Sequence, residues 1–244
     1  MPIDDNHSEP MRLVRFLAAA GIASRRKAAD LVAAGDVLIN GKPPLGPGDP
    51  VGPGDEVRFR GRVIRLNELY YLMINKPRGY TCTNEDVHAE KKVFELISLP
   101  GEPKLFSAGR LDKESEGLLI VTNDGDYGAR LTHPRYEILK TYLVRTARPI
   151  PLGELNRIRQ GIVDDGEELR PRRIDEIKPG HYRFILNEGK KREIRRLVRS
   201  AGARTLELKR MRIGDLELGD LPPGKWRYLS PDEVALSLQS GSFG

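Results

Sequence analysis

The sequence predicts an α+β protein of two unequal domains. A small helix–helix–strands unit is expected over residues 11–61. A larger domain over 69–232 is expected to carry a mixed, largely antiparallel sheet with flanking helices. Three observations predict this. The 244 residues exceed one typical small domain. Beyond residue 69, apolar strand patterns outnumber helical ones. Between the two regions, RGRVIRLNEL (60–69) reads as a connection.

Each element has its own signal. Leu13, Phe16, Leu17 and Ala20 recur at helical spacing over 12–20, and Gly21 is placed to end that helix. Ser24 is a good N-cap for a second helix, with Ala28, Leu31 and Val32 as its buried stripe and Gly35 as its stop. Val37-Leu38-Ile39 reads as a strand, Asn40-Gly41 as a turn, and Val51 to Phe59 as further strand material around Gly54-Asp55. In the larger domain, strands fit 70–74, 118–122, 138–146, 182–187 and 205–213. Helices fit 90–98, 124–131, 152–160 and 191–201. Residues 1–10 and the final SGSFG are expected to be tails.

Composition narrows the class. Hydrophobic residues make up 39% and charged residues 31%, a water-soluble globular balance. No apolar run approaches the ~20 residues of a membrane span. The polar, acidic N-terminus is not a secretory signal, so the expected location is cytoplasmic. The single cysteine, Cys82, rules out an intrachain disulfide. The net charge of +6 is unevenly spread. Residues 11–61 carry +3 and residues 188–212 carry +7, leaving the rest mildly acidic. Two basic patches on an acidic body form an electrostatic footprint for nucleic acid, or a pair of solvated helix faces.

Arg25, Arg26 and Lys27 follow directly after the Ser24 cap. Cations in a first helical turn oppose the macrodipole. Either they splay into water, or a phosphate at that helix end joins them to the exposed N–H groups, the favoured reading. RLVRFLAAAGIASRRKAADLVAAGDVLINGK, followed by GPGDPVGPGDEV, resembles the RNA-binding module first named from a small-subunit ribosomal protein, also called the alpha-L motif. The resemblance covers about 11–60 and implies RNA binding, with Arg12, Ser24, Arg25, Arg26 and Lys27 as candidate contacts. It does not name a reaction, because the module also occurs on tRNA synthetases and ribosome-rescue proteins.

In LFSAGRLDKESEGLLIVTNDGD (105–126), a polar loop with Asp112, Glu114 and Glu116 precedes an apolar strand core. Gly109 and Gly117 permit unusual backbone angles on either side. By composition, Asp112 could cap a turn and the two glutamates could be solvated, or an acid here could act as nucleophile or general acid/base. GRLDKESEGLLIVTNDG resembles the central motif of pseudouridine synthases, in the branch acting on single sites of small- or large-subunit ribosomal RNA. NKPRGY (75–80) resembles that family's first motif. KTYLV (140–144) resembles its tyrosine strand, and NEGKKREIRR (187–196) its last motif. The resemblance covers roughly 69–232 and implies the pseudouridine synthase fold. It implies Asp112 as catalytic nucleophile or base, Arg195 as its ion-pair partner, and Tyr142 as the active-site aromatic. It implies no cofactor and no metal. Arg196, adjacent to Arg195, is the alternative arginine.

The chemistry asks for these residue types. Pseudouridine formation breaks the N1–C1′ bond, turns the uracil and rejoins it through C5. Burial disfavours an ionised aspartate, and a guanidinium restores the charged form. The uracil must leave its stack to be reached. A ring such as Tyr142 can then stack on it for about 1–3 kcal/mol. Lys76, Arg110, Lys190, Lys191, Arg192, Arg196 and Arg199 are expected to face RNA phosphates.

Other signals are set aside. Gly219-x4-Gly224-Lys225 imitates a phosphate loop, but Trp226 stands where Ser or Thr would hold magnesium, so it reads as a turn into a terminal strand. The scattered His7, His88, His133 and His181 make no metal spacing. For His133 a structural hydrogen bond is expected. The expected partner is ribosomal RNA, large-subunit by the EGKKREIRR and GKWRYL segments, bound by a monomer. The rival readings are a non-catalytic ribosome-assembly factor on the same fold, and an enzyme that hydrolyses the glycosidic bond with Asp112 and Glu116.

Overall fold

A computed structural model describes residues 9–83 and 91–240. The chain forms two compact units. Among the described residues, the first comprises 9–70, 99–104 and 123–125, and the second comprises 71–83, 91–98, 105–122 and 126–240.

In the first unit, β1 (Met11–Arg12) runs into α1 (Leu13–Ala19), and α2 (Arg25–Ala33) follows. The strands β2 (Val37–Ile39), β3 (Pro50–Val51), β4 (Val57–Phe59) and β5 (Arg62–Ile64) complete it. The Ser24 hydroxyl accepts from the Lys27 N–H at 3.4 Å, as an N-cap should. Leu13, Phe16 and Leu17 of α1 pack with Ala28 and Val32 of α2 and with Val37, Val51 and Val57 of the strands. The order β2-β4-β5 is antiparallel throughout. The expected connection at 60–69 therefore contains a strand. Arg60 and Gly61, both at positive φ, turn the chain back, and Val57 pairs with Ile64. A short hairpin of this kind leaves too few alternating residues to show in sequence. Asn40 and Asp55 tie the unit's turns together: Asn40 Nδ2 donates to Asp55 Oδ1 at 2.7 Å, and the Gly52 N–H donates to Asp55 Oδ2 at 2.6 Å. Those bonds, the Gly52 N–H foremost, hold the Asp55 carboxyl below its ordinary range.

The second unit is built on β6 (Tyr71–Lys76), β7 (Phe106–Ala108), β8 (Glu116–Thr122), β9 (Lys140–Thr146), β10 (Ile162–Asp164) and β11 (Glu167–Leu169). It continues with β12 (Arg173–Lys178), β13 (His181–Leu186), β14 (Thr205–Ile213), β15 (Leu216–Glu217) and β16 (Trp226–Tyr228). Its helices are α3 (Gly125–Thr132), α4 (Leu152–Gln160), α5 (Glu193–Ser200) and α6 (Pro231–Ser237). The main sheet runs β12-β13-β9-β14-β8-β6-β16. All its pairings are antiparallel except β14 with β8. β10 and β11 form a separate hairpin. The architecture is the expected α+β class.

Leu72, Met73 and Ile74 of β6 and Leu118 to Val121 of β8 are fully buried, which explains their continuous apolar runs at the sheet centre. β8 is shared. Its first residues pair with β14, and its last three pair with β7. Gly117 is the close approach: a Cβ there would sit 2.3 Å from the Arg210 carbonyl oxygen, at φ +106°. Only glycine fits both demands.

The helix expected at 90–98 is a single 3-10 turn, Val93–Leu96. The Val93 N–H bonds to the Thr81 carbonyl, and Leu99-Pro100-Gly101 stops any continuation. Residue 90, the tail at 1–8, the end at 241–244, His7 and His88 lie outside the described residues. Among the described residues, no helix is long and apolar enough to cross a membrane.

Candidate active site

The loop 109–115 joins β7 to β8 where β14 and β7 share one edge of β8. Gly109 at φ +84° starts it, and the Ser115 N–H closes a turn onto the Asp112 carbonyl at 2.9 Å. Beneath it lies Lys76, the last residue of β6, with no exposed surface. Its ammonium donates to the carbonyls of Ser115 (2.6 Å), Asp112 (3.1 Å), Pro77 (3.2 Å) and Lys113 (3.4 Å). Three protons are thus shared among four carbonyls. Burial lowers the Lys76 pKa, and Cys82, Asp112, Glu114 and Glu116 oppose that. Cys82 brackets the loop from its side: its Sγ accepts from the Leu111 N–H at 3.5 Å and donates to the Leu111 carbonyl at 3.4 Å. The backbone at Asp112 is therefore fixed, while its side chain stays 31% exposed.

Arg195 approaches from the first turn of α5. Its Nη2 donates to the Glu114 carbonyl at 2.9 Å and to Ser115 Oγ at 3.3 Å. Its Nε is 3.9 Å from Asp112 Oδ2, an ion-pair distance rather than a hydrogen bond. That Nε is buried without a hydrogen-bond partner. Burial, then Arg192, pulls the Arg195 pKa down, and Asp112 pushes it up. The charge itself persists, since arginine does not deprotonate in proteins. A carboxylate is thus held beside a desolvated, fixed cation while its oxygens stay free of bonds from that cation.

Asp112 lines a cavity of about 380 Å³. Tyr142, one of the inward residues of β9, forms part of its wall together with Leu111, Leu186, Ile194 and Leu208. The volume suits a small organic group, and the lining combines these apolar side chains with charged ones. Arg110, Lys191 and Arg192 also line it. A planar base could lie against Tyr142 with its sugar toward Asp112.

The predicted trio of Asp112, Arg195 and Tyr142 therefore comes together. Among the predicted RNA contacts, two are corrected. Lys76 cannot face RNA, because it is buried under the loop and bonded to its carbonyls. Arg196 points away from Asp112: it pairs with Asp164 and Glu167 of the β10–β11 hairpin and is 12% exposed. Its charge is held at that hairpin rather than offered to a phosphate. The choice between adjacent arginines falls to Arg195 on geometry. Lys190 lines the cavity, but its ammonium pairs with Glu188 at 2.8 Å and bonds to the Glu168 carbonyl at 2.5 Å. Arg199 is 72% exposed, 3.4 Å from Asp164. In the first unit Arg12, Arg25, Arg26 and Lys27 are exposed, and the Ser24 hydroxyl is engaged as a cap. His133 Nδ1 accepts from the Arg135 N–H at 3.2 Å, the structural role expected for it.

Sequence reasoning missed a buried charged group beside the cavity. Glu193 and Arg210 are almost fully buried, as is Lys140. Burial, then Glu188, raises the Glu193 pKa to about 7. Burial, then Arg210, lowers the Lys140 pKa to about 8. The inward register of β9 offered a signal for Lys140, since it shares a face with Tyr142. Among the described residues, no group of histidine, cysteine, aspartate or glutamate could hold a metal ion.

Comparison with known proteins matches these regions. A family model described as RNA pseudouridylate synthase matches residues 70–200, and one described as S4 domain matches 11–57. The chain is 34% identical over 229 residues to the ribosomal small subunit pseudouridine synthase A of Yersinia pestis, covering 92% of this chain and 97% of that protein. It is 36% identical over 251 residues to a chloroplastic protein of Arabidopsis thaliana, named provisionally as a ribosomal large subunit pseudouridine synthase, covering 93% of this chain and 60% of that protein. A solved pseudouridylate synthase crystal structure superposes with a TM-score of 0.68 at 29% identity, covering 93% of this chain and 99% of that one. Since the synthase model spans more than half of its length and relatives over 30% identical cover nearly all of it, the chain belongs to the RNA pseudouridine synthases, isomerases of uridine in RNA, and carries an S4 domain at its N-terminal side.

Proposed function

We propose that this enzyme converts a specific uridine of ribosomal RNA, in the large subunit, to pseudouridine with Asp112 as its nucleophile or base. The observation that carries this reading is the Asp112–Arg195 approach, 3.9 Å, at a cavity walled by Tyr142. Arg195 places a permanent positive charge beside the Asp112 carboxylate. Tyr142 stacks on the extruded uracil. Asp112 either attacks C1′ or removes the C2′ proton to give a glycal. In both routes the N1–C1′ bond breaks, the uracil turns, and C5 bonds to C1′. The C5 proton is lost and N1 gains one, so the product is an isomer and no cofactor is consumed.

The RNA is held by residues 11–61, through Arg12, Arg25, Arg26 and Lys27 beside the capped α2. It is also held by the catalytic domain, 69–232, through Arg110, Lys191, Arg192 and Arg199. Exposure of these cations and the S4 match support that division of labour. The subunit preference rests on EGKKREIRR (188–196) and GKWRYL (224–229), since the relatives' names include both subunits. The enzyme acts as a monomer in the cytoplasm.

The test is complementation of cells lacking the native enzyme with wild type or Asp112→Asn, followed by pseudouridine mapping across both ribosomal RNAs. One large-subunit site restored by wild type alone supports the whole reading. A small-subunit site moves the substrate, restoration by the variant removes Asp112 from its role, and no restored site by a folded, RNA-binding wild type sinks the ribosomal assignment.

A further inference from the structure

A second cavity of about 300 Å³ opens along α5, lined by Arg192, Arg195, Arg196, Arg199, Arg204 and Thr205. Five guanidiniums around one small space repel one another. Acids offset only some of them. Arg196 is held by Asp164 and Glu167, Arg199 lies 3.4 Å from Asp164, and Arg195 faces Asp112. Arg192 and Arg204 are exposed, and neither enters an ion pair found among the described residues. Thr205 Oγ1 is buried and has no hydrogen-bond partner. Arg192 is also held at φ +54°, left-handed, just before α5. A non-glycine residue rarely adopts that conformation and persists in it where its surroundings demand it. Arg192 lines both this cavity and the one that holds Asp112.

We infer that this second cavity is a phosphodiester subsite, in which one phosphate of the RNA strand, close to the nucleotide at Asp112, sits among Arg192, Arg199 and Arg204. The Thr205 hydroxyl is the neutral donor on the same oxyanion. A tetrahedral anion with several acceptor oxygens can satisfy the guanidiniums of Arg192, Arg199 and Arg204 together, whereas among the described residues a carboxylate pairs with Arg199 alone of the three. The sharing of Arg192 ties the anion to the reacting nucleotide. Arg204, part of the basic 188–212 stretch but not named singly among the candidate contacts, and Thr205 thereby become binding residues. The inference rests on the RNA reading above.

Affinity for a transcript of large-subunit ribosomal RNA, measured on the full chain between 50 and 200 mM KCl, tests it. Arg204→Gln and Arg199→Gln/Arg204→Gln replace exposed side chains, so folding is preserved. One phosphate on a single strand contributes about 0.7 to the slope of log K against log salt. Arg204→Gln is expected to weaken binding, and the double variant to weaken it further while lowering that slope by no more than about 0.7, because both arginines serve one phosphate. An unchanged slope and affinity in the double variant overturns the subsite. A fall of about 1.4 in the double variant also overturns it, as two arginines on separate phosphates. Pseudouridine formation in the same transcript separates the two claims. Arg204-dependent binding without modification sinks the substrate reading and leaves the subsite standing, whereas a wild type that does not bind RNA overturns both.

Discussion

Glu193→Gln is expected to stabilise the protein above neutral pH. Glu193 is 3% exposed, its Oε1 is buried without a partner, and its Oε2 accepts only from the Lys190 N–H at 3.1 Å. Burial, then the Glu188 charge, raises its pKa from 4.5 to about 7. A carboxyl whose folded pKa lies above its unfolded one binds more protons when folded. Its contribution is fully present below the unfolded value of 4.5 and is lost as pH rises through about 7. At 1.36 kcal/mol per pH unit the whole displacement is worth about 3 kcal/mol. Gln mimics the protonated acid and does not titrate. Urea unfolding at pH 5 should therefore find the two proteins close in stability. At pH 8 the variant should be more stable by about 1–3 kcal/mol. Equal stability at pH 8, or a difference that does not change with pH, refutes the reasoning.

Three further outcomes follow from the same geometry. Lys76→Met leaves the carbonyls of the Asp112 loop short of donors, and should cost about 2–4 kcal/mol in chemical unfolding while lowering kcat; a loss under about 1 kcal/mol means that the loop does not need the lysine. Gly117→Ala forces a Cβ against the Arg210 backbone at φ +106° and should cost about 2–4 kcal/mol, read as a fall in Tm. Tyr142→Leu keeps an apolar wall but removes the ring, and should weaken binding of a uridine-containing RNA by about 1–3 kcal/mol; unchanged affinity and kcat remove the stacking role.

The parts of this fold that could be read from sequence were those whose side-chain period is long or whose ends are marked. α2 shows its Ser24 cap and its buried stripe, and β14 at 205–213 is long enough to declare itself. Among strands of three residues, β2 shows as the unbroken apolar run Val37-Leu38-Ile39 before Asn40-Gly41, whereas β5, β7 and β10 hold too few alternations to register. β12 lies at the sheet edge with mostly exposed residues, so its RIDEIK reads as polar loop. α6 carries its own local signal, since Ser230 and Glu233 form a capping box around Pro231. At the site, motif order pointed to Asp112, Tyr142 and Arg195. It could not tell that Lys76 faces inward, because a strand buried on both faces has no polar side to betray its direction. Nor could adjacent Arg195 and Arg196 be separated before α5 was oriented, since consecutive helical residues point about 100° apart.

The sheet's strand order also sets a timetable for the growing chain. β6 emerges early, yet its outer neighbour β16 lies about 150 residues later, and β8 waits for β14 across about 90. At roughly 5–20 residues per second of synthesis, the outer edge of β6 stays without its partner for about 8–30 s. An apolar strand with an open edge invites pairing with other chains. The central sheet is thus among the last features to be completed, so a nascent or truncated chain ending before Trp226 carries its S4 domain well before it carries the full sheet.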